Sequence, residues 1–345
     1  MKKALITGVT GQDGYYLSKL LLSKGYEVYA LVRRSSNDPF ARYAKEIPTL
    51  KQIKVIYGNM RDLATIRMAI EESKPDEIYN LAALSDVGIS FKCPDETWDI
   101  NYHGVGRLVI EAIRVNPNVR IYQASTSEMF GKTVPPQNET SPFQPVSPYA
   151  EAKLRAHEDF IEGYRQKHGT FTCSGILFNH ESPVRGEHFV TRKITMSLAK
   201  IKEGQQEFME LGNIDAERDW GFAGDYVEAM WMILQQEKPD DYVIATNESH
   251  TVREFFEIAA ANIGIQITWE GKGLDEVAKD QNGKIILRIN EKYYRPAEVH
   301  ALRGDASKAK NIMGWHPKTS FSDLVKMMSQ SDLELIQARK ILHGQ

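Results

Sequence analysis

The sequence is poor in cysteine, and it lacks both a long apolar run and an excess of charge of one sign. Its 2 cysteines, Cys93 and Cys173, form no CxxC pair, which excludes a disulfide framework and predicts reduced thiols. The 43 Lys+Arg nearly balance the 46 Asp+Glu, so neither a nucleic-acid nor an anionic-lipid surface is indicated. No apolar run approaches the roughly 18 residues of a membrane span, and no signal-like segment follows Met1. We therefore expect a cytoplasmic protein without membrane, nucleic-acid or metal partners.

Short apolar runs alternate with helical patterns through the first half of the chain. Strands that alternate with helices at this spacing are typical of a parallel sheet covered on both faces. The predicted strands are Lys3–Thr7, Glu27–Val32, Ile53–Tyr57, Glu77–Leu81, Arg120–Ala124 and Phe171–Phe178, and the helices are Tyr15–Ser23, Leu63–Glu72 and Thr97–Arg114. The pattern predicts an α/β fold with a doubly wound parallel sheet of the Rossmann type.

The second half has a looser pattern, in which helices mix with Gly- and Asp-rich loops. Its predicted helices are Thr191–Glu203, Tyr226–Gln236, Val252–Ile263 and Ser320–Met328. We interpret the apolar run Tyr242–Ala245 as a strand that returns to the first sheet. A length of 345 residues allows about two domains. We expect a dinucleotide-binding domain over residues 1–178, completed by about 220–246, and a smaller C-terminal α/β substrate domain over 179–345.

Three glycines follow the first predicted strand and lead into the first helix. Gly8, Gly11 and Gly14 allow a tight turn, a close approach of backbone to a pyrophosphate, and N–H groups that face an anion at a helix N-terminus. A plain tight turn is the alternative. The GxxGxxG spacing resembles the extended short-chain dehydrogenase/reductase superfamily.

The end of the second predicted strand bears on the choice between NAD and NADP. An NAD site has an acidic residue here for the ribose hydroxyls, whereas this chain has Arg33, Arg34, Ser35 and Ser36. Two guanidinium groups and two hydroxyls suit a 2′-phosphate, so the pattern predicts NADP. A solvated surface pair is the alternative interpretation.

Tyr149 and Lys153 lie four residues apart and therefore share one face of a predicted helix, which Ser147 is placed to cap. We expect a nearby ammonium and the positive charge of a nicotinamide to favour the phenolate and to make Tyr149 a base for a sugar hydroxyl. Thr126 and Glu128 follow the fifth strand, at the edge of the sheet where ligands bind in such folds. An exposed lysine on an ordinary helix, and a helix-capping segment, are the alternatives for these two pairs.

The chain resembles the GDP-mannose 4,6-dehydratase family over nearly its full length. The resemblance is carried most specifically by Phe178–Pro183, Phe189–Ile194 and Tyr293–Val299, beside Thr7–Gly14 and Ser147–Lys153. It implies that a tyrosine base and a nicotinamide dinucleotide oxidise C4 of the sugar, that a glutamate removes the C5 proton, and that water leaves from C6. It also implies a homodimer or homotetramer.

The resemblance also implies a role for each matching residue. The catalytic residues would be Thr126, Glu128, Tyr149 and Lys153. The NADP-binding residues would be Gly8, Thr10, Gly11, Gln12, Asp13, Gly14, Arg33, Ser36, Asp62, Leu63, Leu81, Ala83, Ser85, Tyr149, Lys153, His180 and Arg185. The GDP-sugar would be held by Ser85, Asn179, Lys193, Arg218, Arg295 and Glu298.

Several positions depart from the family pattern. Leu84 and Asp86 stand where the family has Gln and His, Val184 replaces one of an Arg pair, and Glu96 stands where a Tyr is usual. Because these positions lie near the sugar or the cofactor in the family, GDP-manno-heptose is an alternative substrate to GDP-mannose. An NADP-dependent GDP-sugar epimerase or reductase, and a non-catalytic NADP-binding module, are further alternatives that Glu128 argues against.

Overall fold

The computed structural model describes residues 1–35, 40, 50–294 and 301–342. Fifteen strands lie in this part of the chain: β1 Lys3–Thr7, β2 Glu27–Val32, β3 Lys54–Tyr57, β4 Glu77–Asn80, β5 Arg120–Thr126, β6 Phe171–Leu177, β7 Asn179–Glu181, β8 Met209–Leu211, β9 Glu217–Arg218, β10 Trp220–Phe222, β11 Tyr242–Ile244, β12 His250–Thr251, β13 Thr268–Glu270, β14 Val277–Lys279 and β15 Ile285–Ile289. The α-helices of the same part are α1 Gln12–Ser23, α2 Leu63–Ser73, α3 Val87–Ser90, α4 Pro94–Trp98, α5 Gly104–Val115, α6 Pro148–Ala156, α7 Gly163–His168, α8 Val190–Lys202, α9 Ala223–Gln235, α10 Val252–Asn262, α11 Ser307–Met313 and α12 Phe321–Leu342.

Seven parallel strands form the main sheet in the order β11-β6-β5-β4-β1-β2-β3. The order reverses direction at β1, as in doubly wound folds, so that a crevice opens between the ends of β1 and β4. β11 pairs with β6 in parallel, which confirms the prediction that Tyr242–Ala245 returns to this sheet. The predicted α/β fold is therefore confirmed.

The inner strands of the main sheet are buried on both faces. All four residues of β4 and four of the five in β1 are buried. One face packs against α1 and α9, and the other against α2 and α5. Such burial on both faces is what a parallel sheet requires.

Two long helical stretches differ from their predicted form. The predicted helix Thr97–Arg114 begins earlier, at Pro94, and the π-helical turn Asp99–His103 joins α4 to α5. The helix that begins after Ser147 contains a similar turn, His157–Glu162, between α6 and α7. A period of 3.6 residues does not reveal one inserted residue per turn.

The second half packs its own core beside the main sheet. A four-stranded sheet, β13-β14-β15-β8, lies with α8, α10 and α12 around buried residues such as Phe255, Phe256 and Leu324. These strands of three to five residues escaped the sequence analysis because they are too short for a clear alternation. None of the helices in the described ranges is both long and apolar enough to cross a bilayer.

Candidate active site

The candidate site lies where the main sheet's parallel strands end together. The pairing registers place Thr7 beside Asn80, and Thr126 beside Leu177. The loops that follow these strands therefore meet at one edge of the sheet, which brings the glycine loop close to the segments after β4, β5 and β6.

The glycine loop is built for close contact between backbone segments. Gly8 has φ +71, and a Cβ on it would lie 2.8 Å from the Ala82 nitrogen. A Cβ on Gly14 would lie 2.4 Å from the Val9 Cα. In the described part of the chain no side chain caps α1, whose N-cap residue is Gly11. The loop and the helix N-terminus thus form a cradle that fits a pyrophosphate.

The segment after β4 crosses the glycine loop and is fixed by hydrogen bonds. The Ala82 N–H donates to Thr7 Oγ1 at 3.1 Å. Leu84 donates its N–H to Asn101 Oδ1 at 2.9 Å and accepts from Asn101 Nδ2 at 3.0 Å. Leu81 and Ala83 are half-buried here, and Ser85 is exposed. Asp86, one of the departures from the family pattern, caps α3 by accepting from the Ile89 N–H.

Residues predicted to hold the adenosine end lie on the far side of β1. Arg33 and Arg34 are exposed directly after β2, while Ser36 lies outside the described residues. Asp62 caps α2 by accepting the Ala64 N–H at 3.0 Å, which engages one of its oxygens. Leu63 is exposed beside it, so both remain predicted contacts.

Tyr149 and Lys153 occupy the first two turns of α6 and are buried. The helix starts as predicted, because Ser147 Oγ accepts the Ala150 N–H at 3.1 Å and Pro148 occupies its first position. Lys153 Nζ donates to the carbonyl of Ala124 at 2.9 Å. Burial lowers the pKa of Lys153 to about 8, because its ammonium faces a neutral carbonyl.

The Tyr149 hydroxyl lies among the other predicted catalytic groups. Burial raises its pKa to about 12, the Thr126 side-chain hydrogen bond opposes that rise, and the charge of Glu128 adds to it. In the ligand-free protein the Lys153 ammonium donates to the Ala124 carbonyl, so the expectation that it favours the Tyr149 phenolate together with a bound nicotinamide stays a prediction. A further positive charge at the site is needed for ionisation near neutral pH.

Thr126 and Glu128 form a helix cap and also lie at the candidate catalytic site. The Thr126 hydroxyl accepts the Glu128 N–H at 3.2 Å and caps the short 3-10 turn Ser127–Met129, as the capping alternative held. The same turn places the buried Glu128 side chain close enough to Tyr149 to act on its pKa. The capping and catalytic interpretations are thus compatible.

A hydrogen-bonded clamp joins the glycine loop to the segment after β6. Asp13 and His180 form a half-buried pair with 2.9 Å between Oδ2 and Nε2, and His180 Nδ1 lies 2.8 Å from the carbonyl of Phe178. Gln12 Nε2 donates to the His180 carbonyl at 2.7 Å, and Ser182 Oγ donates to Gln12 Oε1 at 2.9 Å. Ser182 was missed by the sequence analysis, although it lies in the quoted segment Phe178–Pro183.

The Asp13–His180 pair shifts the pKa values of its two members in opposite directions. Burial would raise the pKa of Asp13, but the charge and hydrogen bond of His180 lower it overall. Burial would lower the pKa of His180, but Asp13 raises it overall. Each member of the pair therefore favours the charged form of the other, the Asp13 carboxylate and the His180 imidazolium.

The residues predicted to hold the GDP part have contacts within the chain. Lys193 Nζ donates to the Glu210 carbonyl at 2.7 Å and lies 3.8 Å from the centre of the Tyr293 ring. Arg218 is buried and donates to the Glu217 carbonyl at 2.8 Å. The buried Asn179 Oδ1 has no hydrogen-bond partner among the described residues. Arg295 and Glu298 lie outside the described residues.

Arg185 completes the predicted set on the side of Tyr149. Its Nε lies 3.2 Å from Glu181 Oε2, and its guanidinium lies 3.6 Å from the centre of the Phe189 ring. Its positive charge opposes the rise in the pKa of Tyr149 that burial causes. The structure therefore brings the predicted catalytic residues together with His180 and Arg185.

Comparisons with known proteins show the family of this chain. A family model described as GDP-mannose 4,6 dehydratase matches residues 5–328. GDP-mannose 4,6 dehydratase 1 of Arabidopsis thaliana is 51% identical, with 99% of this chain and 92% of the relative covered. The Homo sapiens GDP-mannose 4,6 dehydratase is 49% identical, with 97% and 92% covered.

Solved structures share the fold at low sequence identity. A UDP-glucose 4-epimerase of Thermotoga maritima, solved with UDP-glucose, has a TM-score of 0.80 at 20% identity, with 97% of this chain and 99% of that chain covered. A dTDP-glucose 4,6-dehydratase of Bacillus anthracis, solved with NAD, has a TM-score of 0.78 at 19% identity, with 98% of each chain covered.

Proposed function

The chain belongs to the GDP-mannose 4,6 dehydratase family, and we propose on this basis that it converts GDP-mannose to GDP-4-keto-6-deoxymannose. This is the reaction of a hydro-lyase, in which C4 is oxidised, water is lost across C5 and C6, and C6 is reduced. The observation that carries the proposal is the convergence of Thr126, Glu128 and Tyr149 at the end of β5. A reductase or epimerase has no use for the buried carboxylate of Glu128, whereas removal of a carbon-bound proton requires a base.

We propose NADP as the bound cofactor. The tight backbone turn that Gly8 and Gly14 permit, where a Cβ would collide with the chain's own backbone, leads into the N-terminus of α1 and supports a dinucleotide pyrophosphate there. The exposed Arg33 and Arg34 at the end of β2 supply two guanidinium groups where a 2′-phosphate would lie. When bound, the nicotinamide supplies the hydride acceptor for C4 and the hydride that C6 receives.

The chain's own residues handle the protons of the reaction. Tyr149 takes the proton of the C4 hydroxyl, while the Thr126 hydroxyl orients that group. Glu128 takes the proton from C5, which the new C4 ketone has made acidic, and passes it to the departing C6 hydroxyl to form water. The proton that Tyr149 took from the C4 hydroxyl is then given to C5, which balances the reduction of C6 and restores Tyr149. Each positioned acid or base contributes roughly 10²–10⁴-fold to such steps.

Lys153 fits a supporting role in this scheme. Its pKa of about 8 lets the amine hold or release a proton near neutral pH. The ammonium is held by the carbonyl of Ala124, two residues before Thr126, and therefore stays at the sheet edge beside Tyr149.

We propose that the GDP part lies against the second half of the chain. Lys193 and Arg218 supply cationic groups for the diphosphate, and the unpartnered Asn179 Oδ1 supplies an acceptor. Under this proposal residues 1–178 with β11 hold the dinucleotide and most of the remainder holds the sugar nucleotide.

The decisive experiment incubates purified protein with NADP and either GDP-mannose or GDP-manno-heptose, and follows the mass of each sugar nucleotide. We expect GDP-mannose to lose one water without net consumption of NADPH. Loss of water from the heptose alone would assign the other substrate, and an isomerised or reduced product would contradict the dehydratase assignment.

The matched variant that tests the base is Glu128→Gln, which keeps the size of the side chain but removes the carboxylate. We expect the variant to bind NADP as the wild type does and to lose water formation by about 10²–10⁴-fold. Unchanged turnover by this variant would remove Glu128 from the mechanism.

A further inference from the structure

A buried ion pair joins the first turn of α8 to the C-terminal helix α12. Arg192 Nε lies 2.7 and 2.8 Å from the two carboxylate oxygens of Asp332, and Nη2 lies 2.7 Å from Oδ1. Thr195 Oγ1 donates to Asp332 Oδ2 at 2.6 Å. The Asp332 side chain is fully buried and lies beyond residue 328, where the family match ends.

The forked contact fixes the plane of the Arg192 guanidinium and thereby aims its remaining nitrogen. Nη1 donates to the backbone carbonyl of Arg185 at 3.0 Å. A lysine could not hold a carboxylate at two points and a carbonyl at a third in this way. The ion pair therefore reaches the segment that carries a residue of the candidate site.

That segment, which we call the 182–189 loop, is held at both ends by short turns. The Arg185 N–H donates to the Ser182 carbonyl at 3.0 Å, and the Phe189 N–H donates to the Gly186 carbonyl at 3.1 Å. The Arg185 side chain leaves the loop toward Glu181 and the ring of Phe189. Fixing the Arg185 carbonyl thus fixes the backbone from which this side chain reaches those two contacts.

The stability of the fold does not by itself explain this ion pair. Two charges taken out of water lose their hydration, and apolar residues of similar volume often stabilise a protein as well or better. A position that requires both charges and a third, directed hydrogen bond points instead to geometric control.

We propose that Arg192 and Asp332 are positioning residues, which hold the 182–189 loop so that Arg185 faces the dinucleotide site and Tyr149. This inference rests on the proposed function, because it assigns Arg185 a role at the cofactor. The C-terminal helix would then contribute to cofactor affinity although its own residues do not reach the cofactor.

The test compares two double variants of the ligand-free protein. Arg192→Met/Asp332→Leu removes the ion pair and the bond to the Arg185 carbonyl. The control, Arg165→Met/Asp241→Leu, removes another shielded Arg–Asp pair, one that tethers α7 near β11 rather than the loop. Hydrogen exchange is measured at the Arg185 and Phe189 amides, together with the melting temperature and the Kd for NADP.

We expect the first variant to keep a melting temperature close to wild type, to exchange both amides at least tenfold faster, and to bind NADP about fivefold more weakly. The control should melt at a lower temperature, because the buried Ser174 N–H loses Asp241 Oδ1 as its acceptor, and it should leave both loop readouts unchanged. Arg192→Lys, which preserves one charge–charge contact, should give an intermediate NADP Kd.

Wild-type exchange and affinity in the Met/Leu variant would overturn the inference, and so would equal changes in the control, since these would indicate a merely structural role. The exchange measurement does not depend on catalysis. If wild-type protein leaves GDP-mannose unchanged, the proposed function fails, whereas the exchange ratio still decides whether the ion pair holds the loop.

Discussion

The edge of the main sheet and the layer around α8 differ in what lies beside their buried charged side chains. At the sheet edge, Lys153 is buried against a neutral carbonyl, and its pKa is lowered to about 8. Around α8, Arg192 is buried with its charge balanced by Asp332, and Arg185 lies beside Glu181. The first region has no opposite charge beside its buried lysine, whereas each arginine of the second lies beside a carboxylate, although burial still raises the pKa of Asp332.

This difference indicates a division of labour. A lysine and a tyrosine with shifted pKa values can exchange protons during a reaction, and such groups are common at active sites. Arginines that lie beside carboxylates of their own chain are held in position by them, which suits binding and orientation. Substitutions in the two regions should therefore separate turnover from affinity.

The largest effect is expected for Lys153→Met. Turnover should fall by about 10²–10⁴-fold, since the amine beside Tyr149 is lost. The free energy of unfolding should rise by about 1–2 kcal/mol, because the cost of burying the ammonium disappears while only one hydrogen bond is lost. Urea unfolding of the ligand-free protein at pH 7 measures this gain.

The pH dependence gives the sign of the same effect. The folded pKa of Lys153, about 8, lies below its ordinary value of 10.5. Between these two pH values the unfolded chain therefore binds more protons than the folded chain. This group therefore makes wild-type stability rise with pH between about 8 and 10.5, and the variant should lack that rise. As a control, Lys308→Met, which breaks a pair with Asp240, should lower stability. A destabilised Lys153→Met protein would contradict the comparison.

A smaller effect is expected for a crossed pair of binding variants. Arg33→Ala should weaken NADP binding about tenfold and leave NAD binding and the KM for GDP-mannose unchanged, because a charge-assisted contact to the 2′-phosphate is lost. Lys193→Met should raise the KM for GDP-mannose about tenfold with an unchanged Kd for NADP. Titration of each variant with each ligand checks both. A KM change in Arg33→Ala equal to that in Lys193→Met would show that the two regions do not bind separate ligands.

The smallest effect concerns the Asp13–His180 pair, which joins the glycine loop to the segment after β6. The folded pKa of His180 lies above its ordinary value of 6.5, because the charge and hydrogen bond of Asp13 outweigh the effect of burial. The stabilisation from this group is thus complete below pH 6.5 and is lost as pH rises through the folded pKa. Melting temperatures of ligand-free protein from about pH 6 to 8 should decline for this reason. Asp13→Asn should flatten the decline, and an equal slope in both proteins would contradict the ion pair.

Much of the main sheet was predictable because each strand is a local apolar run. β1 and β2 match their predicted bounds, and β5 continues past its predicted end at Ala124 to Thr126. The C-terminal helix was predicted to end at Met328 but continues to Leu342. Its extension carries the buried Asp332 and Ile336, which pack against α8, so a partner distant in sequence stabilises it.

The sequence by itself determined the elements whose cause is local: the glycine loop between β1 and α1, the shared helix face of Tyr149 and Lys153, and the cap at Ser147. Only the tertiary structure decided the electrostatics of the site. Asp13 and His180 lie 167 residues apart in the chain, and Arg192 and Asp332 lie 140 apart. Spacing along a sequence carries no information on such contacts or on burial, and these two factors set the pKa values and positions of the groups that we propose act on the sugar.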